Sequence, residues 1–69
     1  MCEDKDVLKR LWRSADHEGW LSTRQLDAVL LELFGTVHDA NMACHSLTIR
    51  NMIYYWGDGD WQILTPRGH

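Results

Sequence analysis

The chain has 69 residues, seven Lys plus Arg against ten Asp plus Glu for a formal net charge of −3, and 45% apolar residues. That length accommodates one domain, 1–69, and the apolar share excludes an intrinsically disordered chain. The acidic balance excludes a protein that holds nucleic acid by overall charge, so any basic footprint has to be a local patch.

From the N-terminus, Glu3, Asp4 and Asp6 supply the negative charge that a helix start favours. Val7, Leu8, Leu11, Trp12 and Ala15 follow at the spacing of one helical face, with Lys9, Arg10 and Arg13 on the other side. The pattern predicts a first amphipathic helix ending near Ala15. Asp16-His17-Glu18-Gly19 reads as a loop, and Trp20-Leu21 is a short apolar step able to pair as one small strand. Ser22 and Gln25 form a capping box. Behind it Leu26, Val29, Leu30, Leu33 and Phe34 define the clearest helix of the chain, ended by Gly35. Thr36 and Asp39 predict another cap, and Val37, Ala40, Cys44 and Leu47 a buried stripe on a third helix that bends or ends near Thr48. Ile53-Tyr54-Tyr55-Trp56 and Trp61-Gln62-Ile63-Leu64 favour strands. Between them, Gly57-Asp58-Gly59-Asp60 carries the residues of a tight hairpin turn. Pro66 stops the second strand by Thr65.

A domain this small buries only about 60% of the surface of its unfolded chain. Aromatic rings, each worth on the order of 150–250 Å² of burial, are expected to fill much of the core, Trp12 and Trp20 first. Cys2 and Cys44 make no disulfide framework, and no apolar run reaches bilayer length, so a soluble, cytoplasmic protein is expected. Cys44-His45 with His38, His17, Cys2 and His69 fits no closed zinc spacing, so neither metal nor cofactor is expected. No nucleophile elbow, phosphate-binding glycine loop or carboxylate pair occurs in a recognisable setting, so no catalytic residues are assigned and the chain is read as a non-enzyme.

Two stretches carry a family resemblance. Gly19-Trp20-Leu21-Ser22-Thr23-Arg24-Gln25-Leu26 resembles the short strand and second helix of winged helix-turn-helix domains. Asp58-Gly59-Asp60-Trp61-Gln62-Ile63-Leu64-Thr65-Pro66-Arg67-Gly68 resembles the wing of bacterial regulators of the MarR and PadR kind, in which a D-G turn precedes a strand ending in L-T-P-x-G. The resemblance implies a small α+β winged helix-turn-helix fold: three helices plus a C-terminal two-stranded β-hairpin wing.

It also implies a regulator of transcription, or an accessory to one, that binds double-stranded DNA with its third helix in the major groove and its wing on the backbone. The residues placed to do so are Ser22, Thr23 and Arg24 at the second helix start, His38, Asn41, His45 and Thr48 on one side of the third helix, then Arg50, Asn51 and Arg67. The bland alternative is a solvated polar face. The sequence departs from the family pattern where charge matters most. Arg50 is the only permanent cation of the third-helix segment, and the wing tip carries Asp58 and Asp60. With a salt slope of about −0.9 per phosphate contact, one copy binds weakly and needs a homodimer or a second protein. The other reading is therefore a winged helix used for protein contact, including antagonism of a DNA-binding partner. Tyr55 and Trp56 are its candidate anchors, because one side of the wing strand must face outward. Tyr55 is otherwise a cap on the core against Trp61 or Ile63.

Overall fold

The computed structural model describes residues 3–66. They form α1 (Asp4–Ser14), β1 (Trp20–Ser22), α2 (Thr23–Phe34), α3 (Val37–Ile49), β2 (Ile53–Tyr55) and β3 (Asp60–Ile63). The result is a small α+β architecture in which three helices cover one face of a three-stranded antiparallel sheet of order β1-β3-β2. The hairpin of β2 and β3 therefore has a third partner. Trp20 pairs with Gln62, Leu21 with Trp61 and Ser22 with Asp60, so the short apolar step before α2 is a full edge strand.

Local chemistry accounts for each boundary. α1 begins with Asp4 and Asp6 in its first turn and ends at Ala15, whose N–H reaches the Leu11 carbonyl. Asp16 Oδ1 then accepts from the N–H groups of Glu18 at 2.8 Å and Trp20 at 3.0 Å, closing the loop that feeds β1. Gly19 sits buried in that loop with φ +87°, and a Cβ there would stand 2.8 Å from Trp12 Cη2. Both the backbone angle and the space require glycine. At α2, Ser22 Oγ accepts from Gln25 N–H while Gln25 Oε1 accepts from Ser22 N–H, so the capping box is reciprocal. Thr36 Oγ1 caps α3 by accepting from Asp39 N–H.

α3 is continuous to Ile49 and stops on a Schellman arrangement: Asn51 at φ +58° donates to Thr48 O, and Met52 donates to Leu47 O. Asparagine is among the few non-glycine residues that tolerate this left-handed position. The predicted stripe of α3 needs one correction. Ala40 and Leu47 are buried and Cys44 is half-buried, but Val37 is 65% exposed. It occupies the first helical position, directly after the Thr36 cap, and its side chain stays in solvent.

The core is aliphatic. Leu11, Leu21, Leu26, Leu30, Leu47 and Ile53 are almost wholly buried, and no charged or polar side chain is buried among the described residues. Aromatic rings lie at its margin, where Trp12, Phe34 and Trp61 are half-buried against it. Trp20 does not join them. Alternation along β1 turns Leu21 inward, so Trp20 points to the opposite side of the sheet. No helix among the described residues is long and apolar enough to cross a membrane.

Candidate functional site: the third helix and the outer sheet face

The start of α2 is largely occupied by its own architecture. Ser22 Oγ is taken by the cap. Thr23 joins helix to hairpin: its N–H and its Oγ1 both donate to Gly59 O, at 2.8 and 3.0 Å, and Oγ1 accepts from Trp61 Nε1 at 3.1 Å. Thr23, placed by the sequence at a DNA-binding helix start, thus has its hydroxyl engaged as a structural joint. Arg24 is exposed and has no ion-pair partner among the described residues.

On α3 the helical repeat brings His38, Asn41, His45 and Thr48 to the solvent side, as their spacing requires. The same exposed surface carries Met42, 59% exposed, and Ile49, 65% exposed. Thr48 Oγ1 donates to Cys44 O at 2.8 Å. The one cation of the segment is engaged elsewhere. Arg50 grips the Asp4 carboxylate with both terminal nitrogens and donates from Nε to Ser46 O, tying the end of α3 to the start of α1. Its bond to Asp4 also raises its already high pKa. Asn51 serves as the left-handed cap described above. Arg67, Cys2 and His69 lie outside the described residues.

Charge elsewhere does not restore a basic stripe. Residues 53–66 contain no Lys or Arg, so between Arg24 and the end of β3 the hairpin contributes Asp58 and Asp60. Arg10 pairs with Glu32 across α1 and α2. Lys5, Lys9 and Arg13 are exposed and share one side of α1 at i, i+4 spacing. Among the described residues no three His, Cys, Asp or Glu side chains gather as a metal site. Cys44 is a free thiol, and burial, helped by Asp27, pushes its pKa up.

The more distinctive surface lies on the far side of the sheet. Ile53, Tyr55, Trp61 and Ile63 share one face, which turns inward, while Tyr54, Gln62 and Trp20 form one outward row. Trp56 donates its backbone N–H to Asp60 O, extending the ladder by one pair and setting a second outward row of Ser22, Asp60 and Trp56. No family model, curated protein or solved structure matches the chain. The surface is therefore judged on its own chemistry. Trp56 lies 5.7 Å from the Trp20 ring and 5.0 Å edge-on from Tyr54, and its Nε1 donates to Gln62 Oε1 at 3.3 Å.

This arrangement divides the two anchors expected from the sequence. Trp56 belongs to the outward cluster. Tyr55 packs its ring on Trp61 at 4.9 Å, and its hydroxyl accepts from Gly59 N–H, so it supports the turn although part of it remains exposed. Tyr54 and Gln62 carry no contact role in the sequence reading, and Trp20, expected in the core, lies in this outward row instead. Alternation of side chains gave a usable signal for Tyr54, but assigning it a face required knowing that Ile53 is the buried neighbour.

Proposed function

We infer that this chain is a winged-helix-type domain used as a protein-interaction module, with the outer face of its sheet as the contact surface. The order of elements, the strand order β1-β3-β2 and the D-G turn before L-T-P support the winged-helix assignment. The observation that carries the function is the cluster of exposed Tyr54 and Trp56 with half-buried Trp20, opposite the packed face of the sheet. Aromatic side chains of this size supply contact area at low entropic cost and are the usual anchors of interfaces. A free, half-buried Cys44 suits a reducing, cytoplasmic setting.

A second reading is weak contact with double-stranded DNA through α3, and exposed Asn41 beside His38, His45 and Thr48 favours it, because Asn can pair with adenine in the major groove. In that reading a second copy or a partner supplies the missing cations.

Affinity capture from nuclease-treated host extract, with wild type beside a Tyr54→Ala/Trp56→Ala variant, tests the first reading. A protein recovered by wild type and lost by the variant is the expected result, with near-UV circular dichroism reporting that the fold survives. For the second, Asp4→Asn releases Arg50. Duplex DNA binding at low salt that strengthens in this variant, with no protein captured through the sheet, would reverse the order of the two readings.

A further inference from the structure

The outward aromatic cluster lacks the gap that an enclosed guest would need. With Trp56 against both Trp20 and Tyr54, the rings fill the space between themselves. A ligand meets their outer faces and edges, so the cluster is a platform rather than a cage for a small ammonium ion.

An open cleft of about 430 Å³ adjoins it, between the end of α1, β1 and the start of α2. Trp20 and Asp60 belong to both surfaces, and Asp16, Ser14 and Gln25 complete the cleft wall. The Asp60 carboxylate is exposed and has no hydrogen-bond or ion-pair partner among the described residues. Asp16 is held ionised: the N–H of Trp20, with that of Glu18, keeps its pKa below the ordinary value. The carbonyl end of α1 and the amide end of α2 both border the cleft, so their opposite partial charges offset and the carboxylates set its sign. Glu18 and Asp58 lie in the adjoining loops; residues 14–23 and 53–66 contain no Lys or Arg, and Arg13 and Arg24 stand at the two ends of the first stretch. On the side of Trp20 and Asp60, a cationic ligand would meet carboxylates and an indole face together.

We propose that this surface docks an extended, arginine- or lysine-bearing segment of a partner protein, its apolar part lying on Trp20, Tyr54 and Trp56 and a cationic side chain in the cleft of Asp16 and Asp60. The proposal rests on the protein-interaction reading above and names the chemistry of the partner. A flat aromatic strip suits an extended chain, because alternate side chains of such a chain reach the same surface. The acidic neighbours select for basic residues and against a phosphate backbone, although bare aromatic platforms also stack unpaired bases.

The test uses the full chain, followed by indole fluorescence and by amide and indole NMR shifts. It is titrated with a short arginine- and proline-rich peptide, the same peptide with Gln in place of Arg, and single-stranded oligothymidine. The arginine peptide is expected to shift Trp20, Tyr54, Trp56 and Gln62. Replacing its arginines, or introducing Asp60→Asn, should weaken binding about tenfold, and raised salt should weaken it further. Because Asp60 is exposed and its side chain unpartnered, the variant keeps its fold, and Tyr54→Ala supplies an independent probe of the platform. Equal binding of the Gln peptide, preference for oligothymidine, or shifts confined to α3 would overturn the proposal. A captured natural partner that depends on Tyr54 and Trp56, alongside no preference for the arginine peptide, would refute the basic class alone. Capture that ignores the sheet residues would refute both readings.

Discussion

Substituting Gly19 isolates the contact that holds the loop, the first helix and the sheet together. Gly19→Ala forces an L-residue to φ +87° and places a methyl 2.8 Å from Cη2 and 3.1 Å from Cζ3 of Trp12, with Ile63 O at 3.3 Å. The left-handed backbone costs about 1–2 kcal/mol. The overlap adds about 1–3 kcal/mol, because the obstacle is a rigid indole half-buried against the core rather than the tip of a flexible chain. Gly35 is a matched control: it has nearly the same φ, +86°, but nothing within 4 Å of its Cβ position. Gly35→Ala should therefore lose about 1–2 kcal/mol and Gly19→Ala about 2–5 kcal/mol. Against a total stability of roughly 3–10 kcal/mol for a chain of this size, the second loss is large. At about 4–8 °C per kcal/mol, it lowers Tm by about 8 °C or more. Thermal and urea unfolding, followed by circular dichroism, measure both variants. If Gly19→Ala falls within about 0.5 kcal/mol of Gly35→Ala, the indole yields freely and the packing argument for this corner is wrong.

Three further outcomes are expected. Thr23→Val removes the hydroxyl that links Trp61 Nε1 to Gly59 O and should cost about 1–2 kcal/mol in urea unfolding, whereas Thr23→Ser should lose much less. Asp16 has a folded pKa depressed below 3.8, chiefly by the Trp20 N–H. Its stabilising contribution is accordingly present above that value and fades as pH falls through the folded one, so acid titrations of wild type and Asp16→Asn should diverge above pH 3.8 and converge well below it. A constant gap between the two curves would contradict the assignment. With Cys2 replaced by Ser, Cys44 should react slowly with a thiol reagent at pH 8 and rapidly once urea unfolds the chain, because burial keeps its thiol protonated. Equal rates in both states would show that the thiol is not shielded.

The sequence by itself determined the elements whose causes are local. Ser22 and Gln25 announce the start of α2 because their hydrogen bonds span only three residues. The hairpin turn follows from Gly57 through Asp60, and the inward face of α2 from the spacing of Leu26, Val29 and Leu30. Only the tertiary structure decided what those elements do to one another. Thr23 and Trp61 are 38 residues apart in the chain, and Asp4 and Arg50 are 46 apart. No local pattern could therefore reveal that Thr23 at the start of α2 is a joint, or that the lone cation near α3 is already held by a carboxylate. The same applies to Trp20, which composition assigns to a core. Pairing of β1 with β3 places Leu21 in that core and turns Trp20 outward, because successive residues of a strand must face opposite sides.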